Sequence, residues 1–178
     1  MILSNLEFQH YISAHLRLLH YCYCKKRNLG EKLTFDKFVK MPFEFKIEAR
    51  NYFIKDISIL DEYFIRNKTI QESAKEILQG FRRKVSSKFV VLKQLKNYSV
   101  FLDIESNNFY AVVALSDPLP IILESLPVLV EATILPFGDK IIYDGFLVRN
   151  IYIGRNMENN FLNQYREAKA NKKIIKVL

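Results

Sequence analysis

The sequence predicts an α+β protein: a helical N-terminal half packed on an antiparallel β-sheet or small barrel, with a C-terminal helix. Three observations carry this. Apolar residues recur at helical spacing early in the chain, as Ile12, Leu16, Leu19 and Tyr23, and again as Ala74, Ile77 and Leu78. After Ser87 the pattern changes to alternation, with Tyr98, Val100, Leu102 and Ile104 set between Ser99, Phe101, Asp103 and Glu105. A last helical period, Met157, Phe161, Tyr165 and Ala168, follows Asn156 as its cap. With 178 residues, 49% hydrophobic, 26% charged and only 5 Gly and 5 Pro, the chain can bury a core, and disordered, collagen-like and disulfide-scaffold classes are excluded.

The first helix should start at Ser4 and stop near Gly30, with His10, Ser13, Arg17, His20, Cys24 and Arg27 on its polar side. Phe8, Tyr11, Leu18, Tyr21 and Cys22 add a second apolar flank, so this helix must be largely covered. Pro42 suits the first turn of a second helix through Phe45, Ala49, Tyr52 and Phe53, with a break before Leu60 to Arg66. Thr69 and Glu72 are spaced as a capping box for a third, which ends at Gly80. In the second half, strands around Ser106-Asn107-Asn108 form a hairpin, a short helical piece spans Ile121 to Leu126, and Val128 to Leu135 is a further strand. A turn at Pro136-Phe137-Gly138-Asp139 leads to Ile141-Ile142-Tyr143 and Phe146-Leu147-Val148, joined by Asp144-Gly145 as a type I′ turn. Ile174 to Leu178 adds a last strand. No linker composition separates a helical region, 1–82, from a β-rich region, 83–178, so one shared core is expected.

Residues 85–95 decide the fold. Val85, Phe89, Leu92 and Leu95 have helix spacing, but Phe89-Val90-Val91-Leu92 has the content of a strand. As a helix it completes a winged helix-turn-helix outline. As a strand it gives the order β-β-β-short helix-β-β used by oligonucleotide-binding barrels. The distance from Ala74 to Gly80 is too long for the turn of the former, which favours the strand.

The formal net charge is +8, unevenly spread. Lys84, Lys88, Lys93 and Lys96 stand in a stretch without acids, whereas 101–148 holds seven acids against Lys140 alone. Basic and aromatic residues interleave from Arg82 to Tyr110. Cations could follow phosphates while bases stack on the rings, so Arg82, Arg83, Lys84, Lys88, Lys93 and Lys96 form the candidate nucleic-acid-binding set. The competing reading is a solvated surface compensated by the acidic stretch.

Catalytic and metal motifs fare less well. Cys22 and Cys24, two apart on a helix, point away from each other and cannot share a zinc ion, and His10, His15 and His20 miss the i, i+4 spacing of ligand pairs. Phe101-Leu102-Asp103-Ile104-Glu105-Ser106 resembles the first metal-binding motif of the DEDD exonucleases, a strand with Asp-x-Glu that would share Mg²⁺. Neither a Tyr-x3-Asp nor a His-x4-Asp motif follows it. Leu135-Pro136-Phe137 with Ile141 to Gly145, together with Tyr165 to Lys169, resembles the C-terminal portion of a group of small bacterial proteins, a resemblance that implies no activity.

The expectation is a binding module without catalytic residues, metal ligands or cofactor, its partner a nucleic acid. A protein partner or self-association through the first helix is the alternative. A metal-dependent hydrolase using Asp103, Glu105, Glu131 and Asp144 is the third. The most apolar stretch, Ile121 to Phe137, is broken by Glu124, Ser125, Pro127 and Glu131, and no secretory pattern opens the chain, so a cytoplasmic location away from membranes is expected.

Overall fold

The structure, a computed structural model, describes the backbone of residues 1–178 and the side chains of all but Glu31, Arg149 and Asn150. The chain divides into two compact units, Leu6–Arg82 and Met1–Asn5 with Arg83–Leu178.

In the helical unit, α1 spans Asn5–Arg27, α2 Phe35–Lys40, α3 Phe43–Lys55, α4 Ile59–Arg66 and α5 Glu72–Gln79. Thr34 caps α2 by accepting from the Lys37 amide at 3.4 Å. Pro42, at φ −51, precedes α3 as expected. Asp56 ends α3 and holds the break before α4, its Oδ1 accepting from the Ser58 amide at 3.0 Å and the Ser58 hydroxyl at 2.6 Å. The expected capping box is absent: α5 begins at Glu72 with Gln71 as its cap and no side-chain bond. The buried stripe of α1 comprises Tyr11, Ala14, His15, Leu18, Leu19, Cys22 and Tyr23, whereas Ile12 and Leu16 are half-buried. The stripe is rotated from the expected face because both flanks are apolar. Rings fill the interior, with Phe53 at 5.2 Å and His15 at 5.0 Å from Phe81, and Tyr23 at 5.6 Å from Phe38. Each such buried Phe contributes about 1.5–3 kcal/mol by leaving water.

In the second unit, β1 is Val85–Gln94, β2 Ser99–Asp103, β3 Phe109–Val113, β4 Val128–Phe137, β5 Lys140–Tyr152 and β6 Ile174–Ile175, with α6, Leu119–Leu123, after β3 and α7, Arg155–Ala170, after β5. Residues 85–94 are therefore a strand. β1 pairs antiparallel with β2 and β4, β2 with β3, and β4 with β5. β3 runs parallel to β5 and to β6. The sheet is thus mixed, because the connection through α6 and β4 is a crossover that returns β5 in the direction of β3. The pairings close the ring β1-β2-β3-β5-β4, a small five-stranded barrel whose sequence order matches that of oligonucleotide-binding barrels. Leu3 joins this unit through its amide to Ala114 and Leu115, and Ile2 bridges Ala114.

Asp144-Gly145 does not reverse the chain. β5 runs straight through it, Tyr143 opposite Ile134 and Leu147 opposite Ala132, so the extra residues form a bulge. Asp144 Oδ1 accepts from the Phe146 amide at 3.1 Å, and Gly145 takes φ +94. The true reversal is Gly138-Asp139, since Phe137 already pairs with Lys140. Asn156 lies within α7, which Gly154 caps. No helix among the described residues is long and apolar enough to cross a membrane.

Candidate nucleic-acid interface

Side chains of β1, β2 and β3 alternate between two apolar environments. Phe89 faces the barrel interior, 5.7 Å from Phe101 and 6.1 Å from Tyr110. Val90, Leu92, Val100, Leu102 and Phe109 point the other way and are buried with Tyr165 of α7, against which Phe161, Leu162 and Ala168 also pack. The Phe109 and Tyr165 rings lie 5.8 Å apart. The outer face of β1, β2 and β3 is thus covered by α7.

The docking of α7 brings cations together. Lys93 Nζ sits 4.4 Å from the centre of the Tyr165 ring, a cation–π contact. Partial burial lowers the Lys93 pKa, and the positive charges of Lys169 and Arg166 lower it further. Arg166 and Lys169 are three apart on α7 and share a face, and Arg166 donates to Asn163 Oδ1 at 2.9 Å. Arg166 and Lys169 of α7 thus disfavour the charge of Lys93, and an anion beside Lys93 would relieve that repulsion. Burial pushes the Tyr165 phenol up to about 12, with Tyr98 beside it, so the Tyr165 ring stays neutral at physiological pH.

The six residues expected from sequence are dispersed. Arg82 ion-pairs with Asp61 at 2.5 Å, and Arg83 donates to the Leu178 carbonyl at 2.9 Å. Lys84 is half-buried at the start of β1. Lys88 is exposed and stands opposite Glu131 in the β1–β4 register, where opposite charges attract. Lys96 is exposed in the β1–β2 turn, which the Leu95 amide closes on the Tyr98 carbonyl at 2.8 Å. Only Lys93 joins the cluster. Arg166 and Lys169 were not among the expected residues. Their signal was a pair of cations three apart on a helix whose adjoining face carries Phe161, Tyr165 and Ala168.

The carboxylates serve the backbone. Asp103 is buried, accepting from Ser87 Oγ at 2.6 Å, the Glu105 amide at 3.0 Å and Ser106 Oγ at 2.7 Å. Burial alone would raise its pKa, but these donors outweigh burial and hold it below the usual carboxylate range. Asp144 holds the bulge, Glu105 is exposed in the turn after β2, and Glu131 lies on β4. Among the described residues no group of three His, Cys, Asp or Glu could hold a metal ion. Both cysteines are free thiols, and burial pushes Cys22 up to about 12. Neither a family model, nor a curated protein, nor a solved structure matches the chain.

Proposed function

We propose that the barrel unit binds single-stranded nucleic acid without chemistry, the phosphates lying along Lys93, Arg166 and Lys169. The observation that supports this reading is the gathering of these three cations on a barrel of oligonucleotide-binding connectivity. With α7 over strands two and three, the ligand lies along the edge where β1 meets α7. Lys93 anchors a phosphate from the barrel while Arg166 offers a planar fork from the helix.

Fluorescence anisotropy with a labelled oligonucleotide tests this. Three phosphate contacts on a single strand give log affinity a slope of about −2 against log salt. Lys93→Gln, Arg166→Gln and Lys169→Gln each reduce that slope by about 0.7 and the triple variant abolishes it, with the circular-dichroism spectrum unchanged. Absence of binding by the wild type at low salt, or undiminished binding by the triple variant, refutes the proposal.

A further inference from the structure

We infer that the helical unit carries a second ligand site, a groove between α1 and α4 that binds a phosphate monoester of mononucleotide size. The groove has a volume of about 810 Å³ and is lined by residues that include Arg17, His20, Tyr21, Phe35, Tyr63 and Arg66. That volume lies within the range of small-molecule sites, about 300–1,000 Å³.

Among the described residues the charges in the groove are not balanced. Lys25 is committed to Glu62, to which the Tyr21 hydroxyl also donates at 3.4 Å. Arg17 and Arg66 have no carboxylate within ion-pair distance among the described residues. Both guanidiniums are instead braced on aromatic rings, Arg17 at 4.7 Å from the centre of Phe35 and Arg66 at 5.8 Å from that of Tyr21. A guanidinium held over a ring keeps its plane and presents its N–H groups at the edge, the geometry that grips two phosphate oxygens. Two such groups, from different helices, suit a dianion better than a carboxylate.

The walls suit a planar base. Tyr63 is buried and packs edge-on against Tyr21 at 5.4 Å, closing the floor. The Phe35, Tyr21 and Tyr63 rings among the lining supply aromatic surface on which a base can lie. His20 Nε2 donates to the Leu33 carbonyl at 2.8 Å, which fixes the ring at the groove wall. Arg17 and Tyr63 also line a second hollow of about 420 Å³, whose walls include Ser13, Gln71 and Ile77.

Titrating the full chain with AMP, adenosine and inorganic phosphate, followed by calorimetry and backbone amide shifts, tests this site. AMP should bind with shifts at α1 and α4, about tenfold more tightly than either fragment molecule, one tenfold step being the scale of a single polar anchor. Arg17→Gln and Arg66→Gln should each weaken AMP about tenfold, while Lys93→Gln leaves it unchanged. Adenosine binding as well as AMP would overturn the role of the phosphate, and phosphate binding as well as AMP would overturn the role of the walls. No response to AMP at millimolar concentration, or wild-type affinity in both arginine variants, would overturn the site itself.

Discussion

Acidification from about pH 7.5 to pH 5 should destabilise the protein by about 2 kcal/mol through His15 alone. Its imidazole is 1% exposed on α1, with Nδ1 3.2 Å from the Tyr11 hydroxyl and the ring 5.0 Å from Phe81. Burial, assisted by the charge of Arg50, lowers its pKa from 6.5 to about 3. The unfolded chain therefore takes up a proton below pH 6.5 that the folded protein refuses down to about pH 3, and falling pH favours unfolding throughout that window. Above 6.5 the penalty vanishes. At pH 5, roughly 1.5 units into the window at about 1.4 kcal/mol each, it amounts to about 2 kcal/mol. Urea unfolding reads this directly: at a slope of about 2 kcal/mol per molar, the midpoint moves by about 1 M. The comparison is with His15→Asn, in which His10, His20 and every carboxylate are retained and cancel. The variant can be less stable at both pH values, because the readout is the difference between them. Equal pH dependence in the two proteins would refute the reasoning.

Replacing Asp103 by Asn should cost about 1.5–3 kcal/mol at neutral pH, the scale for hydrogen bonds to a charged group. Since the folded Asp103 carboxyl is held low, the gap between wild type and variant should be full above about pH 4 and close as the pH falls below it; a gap independent of pH would contradict this. Gly145→Ala meets Leu115 Cδ1 only at an ordinary 3.5 Å, so its cost arises from φ +94. About 1–3 kcal/mol is expected, read as a melting point lower by about 3 °C per kcal/mol; an unchanged melting point would rule out strain there. Ellman's reagent should modify Cys24 in the native protein and reach Cys22 only on unfolding, because Cys22 is buried with its thiol held protonated. Rapid native labelling of Cys22 would show that α1 opens.

The helices of the first half were legible where a stripe or a cap was long enough to read. α2, at six residues, spans less than two turns and left no period to find. In α1 the presence of His15 on the buried side could not be read from type, since an uncharged imidazole is retained there by packing. β1 looked like a helix or a strand for one reason: Phe89 and Val91 fill the barrel while Val90 and Leu92 lie under α7, so apolar residues follow without alternation. At Asp144-Gly145 the local chemistry was read correctly, as the carboxylate does accept the Phe146 amide. What the sequence lacks is whether the flanking segments pair with each other or with β4, and that choice separates a turn from a bulge. The cationic cluster was half legible. Lys93 stood in the basic run, but Arg166 and Lys169 reach it only through the docking of α7.

The way β3 shares its second edge has a consequence for handling the protein. Val112 and Val113 pair with β5, but Phe109 and Tyr110 pair with Ile174 and Ile175, near the C-terminal end of the chain. β6 is thus a patch over the gap where the barrel strands diverge. A chain ending at Ala170 would leave the edge of Phe109 and Tyr110 that faces away from β2 open beside apolar side chains, a template for strands from other molecules. Ile174 and Ile175 thus close that edge against other strands, and fusions or tags belong where they leave the two residues in register.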